Sequence, residues 1–394
     1  MMSNLNLYKL LKYYSNNYDK ILHSIEQREQ ENHTHVINNL VTELKECNTK
    51  FNNAARLRNE FTNNASYKSS VSEQSKLIRN LKREASIRTS KLEKELHYLL
   101  LLLPNILHNN VQKNDIILKE KDSELDSPYG IKFTDYISKY CITYNSKTLF
   151  YSGELASLKI SLINFFLKSN INDNFELVNV PYFVTKEDLE VSGQLPKFEK
   201  FLHTINDKIF LIPTSEVVLC KYLQYLDFNN LPYLLCAYSP CFRNEPTVSS
   251  NTNKPLLRQG HFEKVETFIV CKKEEELQYF ELCINRVEKI LNLFGCKYRL
   301  LKVGTLEMSS TASLQYDIEV YLPHSDLWIE ILSCSSCGMF QLARSSFCKD
   351  YTNYVTINCS SFPIERFLAI IIEYFFCPIT NKIQLNDSIL KVIY

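Results

Sequence analysis

Apolar residues recur with a helical period in two long segments near the start of the chain. The first segment runs from Val36 to Phe61, and the second runs from Val71 to about Leu103, where Pro104 ends it. The apolar positions of the second segment are Val71, Ile78, Leu81, Ala85, Leu92, Leu96 and Leu99. A polar stretch, Thr62 to Ser70, separates the two segments. Together they predict an antiparallel coiled-coil hairpin about 40 Å long.

Shorter apolar segments further along the chain have the features of β-strands. Tyr233–Tyr238 and Phe262–Val270 are rich in β-prone residues, and the loop between them is rich in proline, serine and asparagine. This pattern predicts a long antiparallel hairpin. Before it, a helical pattern that starts at Leu155 leads to a predicted strand at Phe175–Val180.

Charged residues crowd onto the predicted hairpin, although strands of this kind normally have at least one apolar face. They are Arg243, Glu245, Arg258, His261, Glu263, Lys264 and Glu266. Because residues i and i+2 of a strand share a face, Lys264 points to the same side as Glu266. An exposed hairpin with solvated charges is the simplest interpretation. A binding site on one face is the alternative, and the motifs described below favour it.

The composition favours a two-domain protein of a reducing compartment. At 394 residues the chain is long enough for two domains, one of them with a sizeable core. Its 45 Lys and Arg residues balance 44 Asp and Glu residues, so nucleic-acid binding requires local basic patches. Its 13 cysteines follow no repeating framework, which favours free thiols that pack in the interior.

The sequence contains no convincing targeting or membrane segment. The longest apolar runs, Leu99–Leu103 and Phe367–Phe376, are well short of the roughly 20 residues of a membrane span. The N-terminus is basic and has no acidic residue before Asp19, as in a transit peptide. It lacks arginine, however, so it is only a weak candidate for one. The location stays open between the cytoplasm and an organelle, either a plastid or a mitochondrion.

The order P-C-F-R-N-E followed by F-E-K-V-E in the charged hairpin resembles motif 2 of the class II aminoacyl-tRNA synthetases, and of the seryl-tRNA synthetases in particular. The helix from Leu155 and the strand at Phe175–Val180 match motif 1, which forms the dimer interface in this family. Further segments occur in the family's order and at its spacing: Leu195–Phe198, Leu211–Glu216, Tyr316–Glu319, Glu330–Ser335 and, as a version of motif 3, Asn358–Ser360 with Arg366. The resemblance covers most of residues 30–394.

The resemblance implies an α+β fold with an N-terminal antiparallel coiled-coil arm and a catalytic domain built on an antiparallel β-sheet flanked by helices. We therefore expect a tRNA-binding arm at residues 1–110, a connecting segment at 111–150 and a class II catalytic domain at 151–394. The implied activity is that of a divergent serine–tRNA ligase. Such an enzyme uses ATP and Mg²⁺ to activate L-serine as seryl-adenylate, transfers it to the 3′ end of serine tRNA, and is a homodimer.

The resemblance also implies the residues that bind ATP. Arg243 would bridge the α-phosphate and the serine carboxylate, and its planar fork suits both contacts. Arg366 would contact the γ-phosphate, while Phe262 would stack on the adenine. Glu330 and Ser333 lie where the family binds Mg²⁺ with ATP, and a carboxylate is a suitable ligand for this hard cation. The expected ATP contacts, of which Arg243, Glu330 and Arg366 are the catalytic ones, are Arg243, Asn244, Glu245, Phe262, Glu330, Ile331, Leu332, Ser333 and Arg366.

A second set of residues matches the serine site of the family. Thr214 and Glu216 match its T-x-E loop, Glu266 lies where the substrate ammonium is held, and Ser360 lies in the N-x-S segment. A pocket lined by these groups rejects alanine because its buried polar groups would be left unpaired. The expected serine contacts are Thr214, Ser215, Glu216, Arg243, Glu266, Asn358 and Ser360.

Basic residues accumulate along the predicted arm. Between Glu43 and Glu95 there are twelve Lys or Arg residues against seven acidic residues. Such an excess is typical of the solvated exterior of a coiled coil. In seryl-tRNA synthetases, however, the arm lies along the long variable arm of serine tRNA, and basic residues near its tip suit phosphate contacts. The residues expected to bind tRNA are Arg56, Arg58, Lys68, Lys76 and Arg79.

Several positions differ from the family pattern. Motif 3 has Cys359, Ser361 and Glu365 where the family has glycine, and a side chain at the last of these could crowd the adenylate. Leu314 and Ala343 replace basic residues. The pair Cys334 and Cys337 has metal-binding spacing, but a lone C-x-x-C is a weak signal and we expect no zinc.

Two other functions remain possible from the sequence alone. The departures in motif 3 and at Leu314 and Ala343 favour a catalytically inactive paralogue that acts as an RNA-binding or structural module. A seryl-adenylate enzyme that charges a carrier protein is a third interpretation, and the long basic arm argues against it. The intact set of expected ATP and serine contacts favours an active enzyme.

Overall fold

The computed structural model describes residues 4–63, 71–125, 130–145, 148–244 and 257–394. The chain divides into two compact units, Met1–Pro104 and Asn105–Tyr394. The first unit therefore ends at the proline that the helical pattern predicts as a stop. The domain limits expected from the sequence (1–110, 111–150 and 151–394) stay predictions.

The first unit is helical in its described residues. Its helices are α1 (Asn4–Asn16), α2 (Tyr18–Gln27), α3 (Thr34–Asn63) and α4 (Val71–Leu102). Glu43 of α3 forms an ion pair with Arg88 of α4, and the ammonium of Lys82 lies 5.1 Å from the ring centroid of Phe51. Because the residue number rises along α3 as it falls along α4, the two helices are antiparallel, as the apolar pattern predicts.

The predicted apolar stripe is buried along most of this hairpin. Ile37 of α3 and Leu92 and Leu96 of α4 are fully buried. Leu81 is 48% exposed, so the prediction that it faces α3 is wrong. The next residue, Lys82, faces α3 instead and covers Phe51 with its side chain. The predicted break, Thr62 to Ser70, begins later than expected, because α3 continues through Asn63. Its remaining residues, including the expected tRNA contact Lys68, lie outside the described residues.

The second unit contains both helices and strands. The helices are α5 (Phe133–Tyr140), α6 (Gly153–Asn172), α7 (Lys186–Ser192), α8 (Glu216–Tyr222), α9 (Glu276–Phe294), α10 (Phe340–Arg344), α11 (Ile364–Phe375) and α12 (Asp387–Ile393). The strands are β1 (Ile116–Lys121), β2 (Ile142–Asn145), β3 (Thr148–Phe150), β4 (Glu176–Leu177), β5 (Phe183–Thr185), β6 (Thr204–Asn206), β7 (Ile209–Leu211), β8 (Tyr233–Phe242), β9 (His261–Lys272), β10 (Tyr298–Lys302), β11 (Leu314–Leu322), β12 (Leu327–Gly338), β13 (Tyr354–Ser361), β14 (Phe376–Cys377) and β15 (Lys382–Ile383).

One large sheet organises the described part of the second unit. Its strand order is β1-β10-β11-β12-β13-β9-β8-β4, and neighbours are antiparallel except β4 and β8. The predicted charged hairpin is β8 and β9, whose register joins Tyr233 to Val270 and Phe242 to His261. The expected α+β architecture, with a helical arm and an antiparallel sheet flanked by helices, is confirmed.

The hydrophobic core lies between the large sheet and the helices α6, α9 and α11. The apolar run at Phe367–Phe376 belongs mainly to α11, which is apolar on nearly all sides because it is almost entirely buried. Glu373 interrupts the run and is itself fully buried. Its carboxylate accepts hydrogen bonds from the backbone N–H groups of Phe133, His324 and Ser325. These bonds satisfy the buried carboxylate within the core.

Two further expectations concern the segment that leads into the sheet. The helix that was expected from Leu155 is α6. The strand expected at Phe175–Val180 is regular only at Glu176–Leu177, so its predicted length is wrong. The Val178 N–H donates one more hydrogen bond to β8, and the pairing ends there. Residues 111–150, expected to be a connecting segment, contribute the edge strand β1. In the described ranges, no helix combines the length and apolar character needed to cross a membrane.

Candidate active site on the polar face of the sheet

Polar side chains form rows across the face of the large sheet that points away from α9 and α11. The strand register pairs Asp317 with Ser333, and Ser333 with Ser360. Directly opposite residues share a face of the sheet, so these three side chains lie on one side. The neighbouring strand β9 adds alternate residues to the same face: Phe262, Lys264 and Glu266. The sequence therefore places two adjoining polar sets on one rigid surface.

A cavity of about 270 Å³ opens on this face. Its lining residues are Arg243, Leu257, Arg258, Gln259, Phe262, Lys264, Glu330, Ser360, Pro363, Glu365 and Arg366. Three arginines, a lysine and two glutamates make this lining suitable for a polyanion that carries a metal ion. Glu245, one of the expected ATP contacts, lies outside the described residues.

A buried ionic network surrounds the carboxylate of Glu266. This carboxylate accepts hydrogen bonds from Thr214 Oγ1 (2.7 and 2.8 Å), the Ser215 backbone N–H (2.7 Å) and Lys264 Nζ (2.6 Å). Lys264 Nζ also donates to Ser360 Oγ at 2.8 Å. Burial alone would raise the pKa of Glu266, but Lys264 and the hydroxyl donors hold it at about 2. The site therefore holds an ionised carboxylate, paired with Lys264, beside the hydroxyls of Thr214 and Ser360, and these groups suit a ligand with an ammonium and a hydroxyl.

Glu216 lies next to this network at the start of α8. Its carboxylate accepts hydrogen bonds from Gln341 Nε2 (2.7 Å) and Gln194 Nε2 (3.4 Å). Burial, and then the charge of Glu266, raise the pKa of Glu216 to about 7. Glu216 therefore changes its protonation near neutral pH, whereas Glu266 stays ionised.

This raised pKa predicts a pH-dependent stability. Between its ordinary value of 4.5 and about 7, the folded state binds the Glu216 proton more tightly than the unfolded state does. This contribution is fully present below pH 4.5 and is lost as the pH rises through 7, a change of about 3 kcal/mol. We expect Glu216→Gln to flatten the curve of unfolding free energy against pH by that amount. Urea unfolding between pH 4.5 and 8 measures it.

Glu307→Gln is the matched control for this prediction. It removes an exposed carboxylate of the same unit that is not among the groups acting on Glu216 or Asp317, and its curve should follow that of the wild type. Asp317 also has a raised pKa of about 7, so part of the slope survives in the Glu216 variant. A Glu216→Gln curve parallel to that of the wild type would contradict the assignment.

Arg243 lies at the cavity wall immediately after β8. Its guanidinium carbon is 5.2 Å from the ring centroid of Phe262 and 5.7 Å from that of Phe198. Its Nε donates to the Pro213 carbonyl at 3.3 Å, and its backbone N–H donates to the carbonyl of Gly260 at 2.8 Å. These contacts orient a planar cation towards the cavity, next to the ring expected to stack on adenine.

Glu330 and Arg366 occupy another part of the wall. Arg366 Nη1 donates to the Glu330 backbone carbonyl at 2.6 Å and approaches its carboxylate at 3.4 Å. Beside them, burial and then the charge of Glu330 raise the pKa of Asp317 to about 7. Gln315 Nε2 donates to both Asp317 Oδ1 and Ser333 Oγ at 3.1 Å. Two carboxylates and a hydroxyl therefore lie together, a set of hard oxygen donors.

The remaining expected contacts have different surroundings. Ile331 and Leu332 have fully buried side chains in the hydrophobic core, so any contact that they make with ATP involves their main chain. Asn244 is exposed, and its N–H donates to the carbonyl of Phe201 at 2.8 Å. Asn358 is buried, and its Oδ1 has no hydrogen-bond partner among the described residues. This oxygen is available to a ligand.

The glutamate at the last glycine position of motif 3 is held at the cavity wall. Glu365 accepts hydrogen bonds from Lys159 Nζ at 3.0 Å and from the Glu263 backbone N–H at 3.0 Å. Lys159 also pairs with the Glu263 carboxylate at 3.2 Å, and its ammonium lies 4.4 Å from the Tyr151 ring centroid. Lys159 of α6 thus neutralises the Glu365 carboxylate, which immediately precedes Arg366 in the chain.

We expect Lys159→Met to destabilise the fold by about 3 kcal/mol, because it leaves two nearly buried carboxylates without their cation. Chemical unfolding at pH 7 measures this loss. Lys168→Met, which removes an exposed lysine of the same helix, should change stability by less than about 0.5 kcal/mol. Adding Glu365→Gln to the Lys159 variant should recover part of the loss. Equal stability of the two lysine variants would refute the pairing.

The other departures from the family pattern lie away from the cavity. Ser361 Oγ donates to the Val265 carbonyl at 3.3 Å. Cys359, Leu314 and Ala343 are buried, and none of them lines the described part of the cavity. These four substitutions therefore leave the cavity lining in place, whereas Glu365, the departure at the last glycine of motif 3, is itself a lining residue.

The sequence did not assign roles to several residues that the structure brings into the site. Lys264 was seen to share a face with Glu266, and this signal could have identified it as the partner of that carboxylate. Asp317 lies in a segment that matches the family, but it received no role. Gln341 and Lys159 gave no signal, because each depends on the packing of a distant helix.

Comparisons with known proteins agree with this geometry. Residues 197–375 match the family model described as tRNA synthetase class II core domain (G, H, P, S and T). The serine–tRNA ligase of Hydrogenobaculum sp. (strain Y04AAS1) is 33% identical over 327 residues, which cover 77% of each chain. The cytoplasmic serine–tRNA ligase of Plasmodium falciparum (isolate 3D7) is 32% identical over 72% of this chain, which spans about half (52%) of that longer relative.

A solved structure resembles the whole chain. The seryl-tRNA synthetase of Pyrococcus horikoshii, in a crystal structure with ATP, superposes with a TM-score of 0.82 over 97% of each chain at 22% identity. At this identity the superposition supports the fold. The curated relatives, with about one third of their residues identical over most of the chain, establish the family. The chain therefore belongs to the serine–tRNA ligase family of the class II aminoacyl-tRNA synthetases.

Proposed function

We propose that this protein activates L-serine with ATP and transfers it to the 3′ end of serine tRNA. The observation that carries this proposal is the network around Glu266, where an ionised carboxylate, Thr214 and Ser360 adjoin an arginine-lined cavity. The network suits the ammonium and hydroxyl of serine, and the arginine-lined cavity suits a nucleoside triphosphate. The curated relatives are named for the same reaction.

Serine is recognised by polar groups that are already oriented. Glu266 receives the ammonium of serine. Thr214 Oγ1 donates to the Glu266 carboxylate, and Ser360 Oγ accepts from Lys264 beside it, so both hydroxyls lie close to this position. Asn358 Oδ1, which lacks a partner, gives a further acceptor. Alanine would leave such buried polar groups unpaired, and this cost discriminates against it.

Activation consists of attack by the serine carboxylate on the α-phosphorus of ATP. A carboxyl oxygen–phosphorus bond forms, the bond to the bridging oxygen of the β-phosphate breaks, and pyrophosphate leaves. Arg243, with its planar fork at the cavity wall, holds the carboxylate and the α-phosphate together and stabilises the charge that develops there. Arg366 contacts the γ-phosphate, and Phe262 stacks on the adenine. Catalysis of this kind is mainly positioning.

The oxygen donors beside Arg366 fit a magnesium ion. Glu330, Ser333 and Asp317 supply carboxylate and hydroxyl oxygens, which are the ligands that Mg²⁺ prefers. The mutual repulsion of Glu330 and Asp317, seen in the raised pKa of Asp317, is what a divalent cation would relieve. When bound, Mg²⁺ neutralises phosphate charge.

The helical arm recognises tRNA in this proposal. Arg56, Arg58, Lys76 and Arg79 are exposed on α3 and α4, near the described ends of the two helices. Exposed basic side chains on a helical hairpin suit the phosphates of an RNA stem, which proteins recognise mostly by shape. The long variable arm of serine tRNA is the proposed partner.

We expect a fourfold variant, Arg56→Gln with Arg58→Gln, Lys76→Gln and Arg79→Gln, to weaken tRNA binding by about 10- to 100-fold at physiological salt. Its plot of log affinity against log salt should be shallower by about 3. Filter binding over a series of salt concentrations measures both quantities. The control removes Lys289, Lys302 and Lys382 of the second unit. Serine activation without tRNA should be unchanged in both variants. Unchanged tRNA affinity in the fourfold variant would show that the arm does not bind tRNA.

We also propose that the active form is a homodimer. The hairpin of β2 and β3 exposes Ile142 (68%), Tyr144 (71%) and Phe150 (55%). Large apolar side chains grouped on a surface mark an interaction site. This hairpin immediately precedes α6, the helix that matches motif 1. Sedimentation equilibrium of the full chain tests the stoichiometry.

Aminoacylation of serine tRNA with labelled serine tests the proposed function. The full chain with ATP and Mg²⁺ should charge serine tRNA and should not charge a tRNA with a short variable arm. Charging of neither tRNA, combined with normal binding of serine tRNA, would favour the inactive RNA-binding paralogue. Transfer of serine to a carrier protein instead of tRNA would favour the third interpretation.

A further inference from the structure

The face of the large sheet opposite the proposed active site carries a row of small polar and sulfur-containing side chains. The strand register pairs Cys334 of β12 with Cys359 of β13, and Cys359 with Thr267 of β9. Directly opposite residues share a face. Ser333, which precedes Cys334, and Ser360, which follows Cys359, lie on the face that carries the cavity. The row therefore points to the opposite face, towards the helices.

Helix α9 adds a third thiol to the row. Cys283 of α9 joins Cys334 and Cys359, and the three Sγ atoms all lie within 4.8 Å of one another. Each of the three residues is at most 1% exposed. They come from a helix and two strands that are far apart in the sequence, so their convergence is a property of the fold. Cys337, the other half of the C-x-x-C pair, is not part of this group.

The adjoining threonine distinguishes the cluster from ordinary packing of buried cysteines. Cysteine is often buried as a small apolar residue, and three such residues can simply pack. Thr267 Oγ1, however, is buried next to the Cys283 thiol and makes no hydrogen bond to an oxygen or nitrogen atom of the described residues. A thiol is a weak hydrogen-bond partner, so a buried hydroxyl left with it alone costs stability unless something else contacts it. A bound ion beside the thiols would supply that contact.

The sulfur positions fit a single soft metal ion. With a zinc–sulfur bond of about 2.3 Å, sulfurs around one ion lie roughly 4 Å apart, so the cluster needs to contract by less than about 1 Å. Thiolates select soft cations such as Zn²⁺ and Cu⁺ over Mg²⁺. Among the described residues no other group of three potential ligands converges in this way.

We propose that Cys283, Cys334 and Cys359 form a structural binding site for one thiophilic metal ion, Zn²⁺, with Thr267 Oγ1 as an oxygen available for a fourth contact. The three thiols lose their protons on binding, and the protons pass to solvent. The ion cross-links α9 to β12 and β13. Since Cys359 lies between Asn358 and Ser360, the site fixes the strand that carries two expected serine contacts.

The metal content of the purified full chain tests this site without any assay of activity. Protein expressed with zinc and purified under reducing conditions should contain about one zinc per chain. Cys283→Ala and Cys359→Ala should lower this content at least tenfold. Cys296→Ala, which removes a buried thiol outside the cluster, should retain it. Equal zinc in all of these proteins, or none in the wild type, would overturn the proposal.

X-ray absorption at the zinc edge of the wild type covers the case in which a cluster variant does not fold. The expected spectrum has three sulfur neighbours at about 2.3 Å. A shell of only nitrogen and oxygen would mean that the zinc is bound elsewhere, and it would reject the cluster. Because neither measurement uses serine, ATP or tRNA, failure of this site leaves the proposed function untouched.

Discussion

Replacing Arg243 by alanine should lower serine-dependent exchange of pyrophosphate into ATP by about 10³-fold. Arg243 is the residue proposed to hold the serine carboxylate and the α-phosphate together, and its guanidinium lies against Phe262 at the cavity wall. The loss should appear mainly in kcat, because the charge that it stabilises develops during the reaction. Stability should change little, since Arg243 is at the end of a strand and is not fully buried.

Two further variants make this result specific. Arg243→Lys keeps the charge but loses the planar fork, so it should recover less than about a tenth of the lost activity. Arg299→Ala removes an arginine of the same sheet that pairs with Glu319 and does not line the cavity. It should keep nearly full exchange. Wild-type exchange in the Arg243→Ala protein would remove this residue from the proposed mechanism.

Replacing Glu266 by glutamine should both destabilise the protein and abolish recognition of serine. The substitution keeps the shape of the side chain, but it leaves the ammonium of Lys264 buried without its carboxylate. Breaking a buried ion pair in this way costs about 3 kcal/mol. The KM for serine should rise at least about 100-fold, because the substrate ammonium loses its counter-charge. Urea unfolding and exchange at varied serine concentration measure the two effects.

The double variant Glu266→Gln with Lys264→Met separates the two effects. Removing the lysine as well should restore much of the lost stability, since no unpaired cation stays in the interior. It should not restore serine activation. A double variant that activates serine normally would show that Glu266 acts only through the fold. An unchanged KM in the single variant would place the ammonium site elsewhere.

The sequence predicted those features that depend on local pattern. The period of apolar residues gave the antiparallel pair α3 and α4, and Pro104 gave their end. Alternation on β9 put Lys264 and Glu266 on one face, and the structure joins them at 2.6 Å. The resemblance to the family named Thr214, Glu266 and Ser360 as serine contacts. In the structure these three residues meet in one hydrogen-bond network through Lys264.

The sequence could not predict contacts that depend on how distant elements pack. Nothing in the pattern of α6 indicates that Lys159 neutralises Glu365. Without knowledge of this ion pair, the glutamate in motif 3 favoured an inactive protein. Leu81 is exposed because the neighbouring residue, and not the predicted one, faces α3. The thiols of Cys283 and Cys359 converge only through the sheet register and the placement of α9. Each of these requires tertiary geometry.

The most direct test of the account is the amino-acid dependence of pyrophosphate exchange by the wild-type protein with ATP and Mg²⁺. The account predicts exchange with serine, and rates at least about 100-fold lower with alanine, whose missing hydroxyl leaves buried groups unpaired, and with threonine. This outcome would establish a working seryl-adenylate site. A folded protein that shows no serine-dependent exchange would contradict the proposed activity.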